Sequence, residues 1–379
     1  VQSSASLKPV PGIPKVRPTL VDYEPNKNFA PRLGLAYRLN DKLALRGGYG
    51  IYYDRLSNQL GLLESLSLPG YVRTDLQGSA NIAATLQDPF PTLPNREDFP
   101  VVPLLYSAPY TNARPAIGLN AVDPSLRTPY LQQWGLNAQY EIARSTVVEV
   151  GYVGTKGTSL ATMRLINQPL LASATQPVNG ITTNTAANAQ LRVPYEGFSP
   201  TGLVWLETST DSRYNSLQAS VTQRLSKGLR FLAAYTLAKS LDNNSGSGTG
   251  ATFTSFDGDQ NRLNLNRGLS DFDRTHRFVV NLSYNLPAFG FGLNDTAIGK
   301  RLFAGWQLAA VAVAQSGTPF SILDTSGAAV YGTSNSRASF ADGATAARAK
   351  FSGPVENRLN EYFDKAAFVR AGNDFGNAG

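Results

Sequence analysis

Between Arg32 and Leu39 every second residue is large and apolar: Leu33, Leu35, Tyr37 and Leu39 alternate with Arg32, Gly34, Ala36 and Arg38. Side chains of an extended chain change sides at each residue, so this spacing describes a strand with one apolar and one polar surface. After the turn residues Asn40, Asp41 and Lys42 the alternation resumes, with Leu43, Leu45, Tyr49, Ile51 and Tyr53 against Ala44, Arg46, Gly48, Gly50 and Asp54. A complete hairpin is predicted over 29–54.

Three more hairpins carry the same signature. Over 130–155, Trp134, Leu136, Ala138, Tyr140 and Ile142 alternate with Gln133, Asn137, Gln139 and Glu141, and beyond Ala143-Arg144-Ser145 the residues Val148, Val150 and Tyr152 oppose Glu149 and Gly151. Over 214–240, Leu217, Ala219, Val221 and Leu225 lead through Ser226-Lys227-Gly228 to Leu229, Phe231, Ala233, Tyr235 and Leu237. Over 275–316, Phe278, Val280, Leu282, Tyr284 and Leu286 pair, across a Pro and Gly connection from Pro287 to Arg301, with a strand around Trp306 to Gln315 whose two faces are hard to tell apart.

The spacing between hairpins decides the class. Turns within the first three hairpins are three residues long, whereas the connections between hairpins run over about 55–129, 156–213 and 241–275, with another polar stretch after Gly317. Loops longer than about 15 residues are uncommon in compact domains unless they have a function or are disordered. Strands of about 10 residues, joined alternately by short turns and long loops, are the pattern of a membrane β-barrel. In hydrocarbon every backbone donor and acceptor needs an internal partner, and a closed sheet is the β solution. Trp134, Tyr140, Tyr235 and Trp306 lie near strand ends, where they suit interfacial girdles.

A soluble sandwich also alternates, but it calls for a second apolar layer and more even loops. Arginine and glycine on the inward face would also place charges in a dry core, whereas a wet lumen accepts them. The predicted fold is therefore all-β: an antiparallel transmembrane β-barrel segment of about eight strands with long extracellular loops. Residues 1–28 are expected to be a Pro-rich extracellular loop remnant, 29–316 the barrel hairpins, and 317–379 an extracellular loop or tail, truncated.

Composition narrows the function. The chain has no cysteine, which excludes disulfides and cysteine-based zinc sites. Its 34 basic and 27 acidic residues give a net charge of +7 without basic runs, so no nucleic-acid partner is expected. No apolar stretch reaches the ~18 residues of a membrane helix; the nearest, Leu302 to Ala314, is interrupted by Gln307. The opening stretch Leu7 to Pro18 is Pro-rich rather than signal-like, as in a piece of a longer protein.

Chemical motifs are weak. His276 is the single histidine, in Ser270-Asp271-Phe272-Asp273-Arg274-Thr275-His276, and nothing in the spacing assembles a catalytic triad. Asp257-Gly258-Asp259-Gln260-Asn261 begins like a calcium loop but carries Arg262 at the glycine position and Gly268 at that of the glutamate. Gly151 to Thr158 lacks the Gly-Lys-Ser/Thr order of a phosphate loop, and Gly47-Gly48-Tyr49-Gly50 lacks dinucleotide spacing. Asp242 to Gly250 reads as a flexible loop, and the loop aromatics Tyr106, Tyr110, Tyr195, Trp205 and Phe253 form either a ligand surface or loop packing. No enzymatic activity, cofactor or metal site is expected.

A family resemblance accumulates along the chain. Its segments are Asn28-Phe29-Ala30-Pro31-Arg32-Leu33-Gly34, Leu45-Arg46-Gly47-Gly48-Tyr49-Gly50-Ile51-Tyr52-Tyr53-Asp54, Pro129-Tyr130-Leu131-Gln132-Gln133-Trp134 and Glu149-Val150-Gly151-Tyr152-Val153-Gly154-Thr155-Lys156-Gly157. Tyr214-Asn215-Ser216-Leu217-Gln218, Tyr235-Thr236-Leu237-Ala238-Lys239-Ser240, Asp271-Phe272-Asp273-Arg274-Thr275-His276-Arg277-Phe278 and Gln315-Ser316-Gly317-Thr318-Pro319-Phe320 follow in order. Together they resemble the Oar-like TonB-dependent receptors of Acidobacteria.

The resemblance implies part of a barrel of about 22 strands, plugged by an N-terminal domain and usually preceded by a carboxypeptidase-regulatory-like domain. It further implies uptake of a large or scarce nutrient across the outer membrane, with TonB, ExbB and ExbD supplying energy through a plug absent from this sequence. Oligosaccharide, peptide and metal chelate remain equal candidates for the substrate, and outer-membrane lipid is the surrounding partner. The polar-face residues Arg32, Arg38, Arg46, Gln133, Asn137 and Glu149 would then line the path. A passive porin and a surface adhesion or export scaffold are the alternative readings.

Overall fold

The computed structural model describes residues 28–54, 117–195, 198–226, 228–245, 258–287, 296–303, 305–324, 336–359, 361–372 and 375–378. Ten strands form its main sheet: β1 (Arg32–Arg38), β2 (Leu43–Tyr53), β3 (Ile117–Val122), β4 (Tyr130–Ala143), β5 (Thr146–Leu165), β6 (Phe198–Ser226), β7 (Leu229–Asp242), β8 (Gly268–Leu269), β9 (His276–Asn285) and β10 (Gln307–Gln315). Eight of them run side by side in the order β1-β2-β4-β5-β6-β7-β9-β10. Each pair along that path is antiparallel. Among the described residues the sheet is not closed: β1 and β10 end the path.

Register shows which residues share a face. One row of partners reads Leu35, Gly47, Leu136, Tyr152, Leu217, Leu237 and His276, and the next reads Tyr37, Leu45, Ala138, Val150, Ala219, Tyr235 and Phe278. Large apolar residues on this face stand open, with Leu33 and Leu35 both 71% and Leu136 64% exposed. So extensive an apolar surface needs a nonaqueous neighbour, and the hydrocarbon of a membrane supplies it. On the opposite face a typical row is Ala36, Arg46, Asn137, Gly151, Gln218, Thr236 and Arg277.

In β10 pairing settles what alternation left open. Leu308, Ala310, Ala312 and Ala314 join the apolar face through Tyr284, Leu282, Val280 and Phe278, whereas Val311 and Val313 join the polar face through Asn281 and Val279.

Turn chemistry fixes the register. Asn40 Oδ1 accepts the backbone N–H groups of Lys42 (2.9 Å) and Leu43 (2.8 Å), closing the β1–β2 turn. Gly228 has φ +81°, and a Cβ there would lie 2.7 Å from the Asn285 carbonyl oxygen, so the β6–β7 turn needs glycine twice over. The connection after β9 contains a short helix, Ala297–Phe303, whose Leu302 carbonyl accepts the Trp306 indole N–H at 2.7 Å. No described helix is long and apolar enough to cross a membrane.

One connection differs from expectation. The stretch 156–213, read from sequence as loop, is in large part strand: β5 has 20 residues and β6 has 29. At about 3.3 Å per residue β6 extends on the order of 95 Å, well beyond a hydrocarbon core of roughly 30 Å even when tilted. Their pairing continues to Leu165↔Val204 with register shifts between Gly157 and Leu160 and between Leu160 and Thr162. Each bulge reverses which parity faces inward, so a simple alternation no longer registers there. β3 joins this projection parallel to β6, and Val122, Leu126 and Leu206 are buried together with Ala161 and Met163 against them.

The polar stretch after Gly317 is likewise partly ordered. Leu323–Asp324 pairs with Ser336–Arg337, and Ser339–Phe340 with Phe368–Val369. Arg337 reaches back, its Nη1 donating to the Leu265 carbonyl at 2.9 Å. The region predicted as the Pro-rich remnant lies, apart from Asn28, outside the described residues, as do Tyr106, Tyr110 and Phe253.

Candidate lumen-lining face

The register puts Arg32, Arg38, Arg46, Gln133, Asn137 and Glu149 on one face, opposite the apolar surface. Arg32 and Gln133 both pair with Gly50, Arg46 pairs with Asn137, and Ala44 links Arg38 to the row of Gln139 and Glu149. Local contacts divide the six. Asn137 Nδ2 donates to Glu149 Oε1 at 2.6 Å, beside Arg46 on the neighbouring strand. The Arg32 guanidinium sits 4.7 Å from the centroid of the Tyr52 ring, which folds over Gly50 and fills the space a side chain there would need. Arg38 turns instead to the hairpin end, where Nη2 meets Asp41 Oδ1 at 2.9 Å in an open ion pair that adds little stability.

Toward the short turns, a cavity of about 430 Å³ is bordered by Arg38, Lys42, Arg46 and Arg224 against the carboxylates of Asp41 and Glu141. Four cations facing two anions make this end electropositive. Lys42 comes from a turn that sequence reading treated only as a connection, and Arg224 from the turn-side end of β6, which it did not single out; their cross-strand neighbours bring them here.

At the opposite end, polar side chains tie the projection together. Arg164 and Glu207 form an ion pair at 3.0 Å, and Ser209 Oγ donates to Glu207 Oε1 at 2.6 Å. The fully buried Asn167 accepts the Tyr195 N–H at 2.8 Å and donates to the Phe198 carbonyl at 2.9 Å. Gln168 donates to the Gly258 carbonyl and accepts from the Gln260 N–H, both at 2.8 Å, while Gln260 Oε1 accepts the Leu165 N–H at 3.0 Å. Apart from Gln260, which sequence reasoning placed in a calcium-like segment, these residues were missed because the contacts that join distant segments span 28 to 95 positions.

The calcium-like segment is thus partly used in packing: Gln260 bridges loops, and Asp259 Oδ1 accepts the Asn261 N–H at 2.9 Å. Asp257 lies outside the described residues. Among the described residues no group of three or more His, Asp or Glu is arranged to hold a metal ion. His276 opens β9 and its Nδ1 is 2.7 Å from the Tyr235 hydroxyl, while Ser270 Oγ bonds Ser240 Oγ at 2.8 Å and Asp273 Oδ1 accepts the Ser240 N–H at 2.7 Å. The residues of the histidine segment therefore tie β7 and β9 together.

Several solved structures are similar to the chain at low identity. The outer membrane transporter YddB from Escherichia coli is 11% identical with a TM-score of 0.37, covering 68% of this chain and 26% of its own. The siderophore receptor PirA from Acinetobacter baumannii is 12% identical with a TM-score of 0.37, covering 76% and 34%. The FrpB iron transporter from Neisseria meningitidis is 8% identical with a TM-score of 0.33, covering 68% and 24%. The chain thus spans about a quarter to a third of the length of these proteins. No curated protein matches its sequence. Residues 5–379 match the family described as the outer membrane beta barrel domain, and the chain therefore belongs to that family, in the outer membrane of a Gram-negative bacterium.

Proposed function

We propose that the protein is part of a TonB-dependent receptor that takes up a large or scarce nutrient. The observation that carries this reading is the division of one sheet into an open apolar face and a face bearing Arg32, Arg46, Gln133, Asn137 and Glu149, surmounted by the long β5–β6 projection. A polar inner wall gives a solute a path, and a tall ordered projection gives it a first contact on the loop side. The order of sequence segments shared with Oar-like receptors supports coupling to TonB, ExbB and ExbD through a plug. In this mechanism substrate binds the outer projection, TonB acts on the plug, and substrate descends along the polar wall.

The reading is tested by deleting TonB and following uptake of oligosaccharides, peptides and metal chelates by cells that depend on this protein. Uptake of one class is expected to stop. Unchanged uptake overturns the coupled mechanism in favour of a passive porin. A loop-side projection that binds glycan or protein, with no transport defect on deletion of the gene, favours an adhesion or export scaffold.

A further inference from the structure

We infer that Lys156 of β5, Arg213 of β6 and Lys239 of β7 form a docking site for the phosphate groups of an outer-leaflet lipid. This goes beyond nutrient transport and does not depend on it, because the site is on the opposite face of the sheet from the proposed path. Lys156 and Arg213 are direct cross-strand partners, and Lys239 pairs with Asn215, two residues along β6 from Arg213. Strand spacing places the three Cα atoms within about 12 Å of one another.

Their face is fixed by parity. Lys156 follows Val150, Tyr152 and Gly154, Arg213 leads into Asn215, Leu217 and Ala219, and Lys239 follows Tyr235 and Leu237; all are on the apolar side. Their height is fixed by the stagger of the hairpins. The last turn-side pairs step along the strands from Arg38↔Ala44 to Ala143↔Thr146 to Ser226↔Leu229, so the apolar belt shifts with them. Lys156, Arg213 and Lys239 consequently stand just beyond the belt on the loop side, where a lipid keeps its headgroup. Below them Tyr152 donates its hydroxyl to Asn215 Oδ1 at 2.6 Å, holding an aromatic and a polar group at the boundary.

Charge selects the occupant. Like charges directly opposite on neighbouring strands destabilise a sheet. Lys156, Arg213 and Lys239 are exposed, and among the described residues none is paired with a carboxylate. Arg267, nearby through β8, is already committed to Asp211 at 2.8 Å. Phosphate oxygens from a lipid would relieve the repulsion: a guanidinium binds them in a fork and ammonium groups bind them as point charges. The acyl chains then lie on Leu217, Leu237 and Tyr152.

The test uses the full-length protein extracted from membranes and titrated in detergent with diphosphorylated lipid A, with dephosphorylated lipid A as the control. Wild type is expected to prefer the phosphorylated lipid by about tenfold or more. The variant Lys156→Gln/Arg213→Gln/Lys239→Gln should lose that preference, Lys156→Gln alone should weaken it, and Lys156→Arg/Lys239→Arg should keep it. Arg277→Gln, which removes a cation from the opposite face, should also keep it. The proposal is overturned if the triple variant retains the preference, if Arg277→Gln abolishes it equally, or if inorganic phosphate displaces the lipid.

Discussion

The indole of Trp134 occupies the space that a side chain at residue 154 would need: a Cβ built on Gly154 would overlap the ring at Trp134 Cε2. The two residues are cross-strand partners on the apolar face, so a small residue on β5 lets the large one on β4 lie against the sheet near the loop-side boundary. Gly154→Val should displace the indole and destabilise the barrel by about 1–3 kcal/mol. Urea unfolding of the protein in lipid vesicles reads the loss, and an unchanged midpoint would show that the indole is free to move aside.

The two faces make opposite demands on charge. Val221 is on the apolar face near the middle of the membrane part of β6, and Ser220 is on the other face. Val221→Arg should cost about 2–4 kcal/mol at midplane depth. Ser220→Arg should change stability by no more than roughly 0.5 kcal/mol. Comparing the two in the same vesicle assay tests the assignment of faces; equal costs would contradict it.

Asn167 holds Tyr195 and Phe198 to the end of β5 through both its donor and its acceptor. Asn167→Ala leaves buried backbone groups without partners, at a cost of about 1–3 kcal/mol. Because the loss is local, amide exchange should accelerate around Tyr195 while β1 and β2 keep their protection. Uniform acceleration throughout the sheet would instead mark the projection as part of the same cooperative unit.

The Asn137–Glu149 bond beside Arg46 is a polar cluster within the proposed path. Glu149→Ala and Arg46→Ala should each slow uptake several-fold while the protein still assembles in the outer membrane. Normal uptake by both variants would remove these residues from the path.

How much was legible in the sequence depends on whether an interaction is periodic. The hairpins 29–54 and 130–155 could be read because Leu33, Leu35 and Tyr37, or Leu136, Ala138 and Tyr140, repeat with the pleat, and the same parity gathered Arg32, Arg46, Gln133, Asn137 and Glu149 on one face. The continuation of β5 and β6 was hidden because bulges around Leu160 break the period. Ser159, with φ +54°, is in that break.

The sequence by itself determined the alternation, the short turns and hence a wall with one face for lipid and one for water, because strand periodicity is a local property of the chain. Tertiary structure decided the rest. Only pairing assigned the two sides of β10, set Lys156 opposite Arg213, and joined Gln260 to Gln168, since each depends on which distant strand or loop arrives alongside, and no local period encodes that arrival.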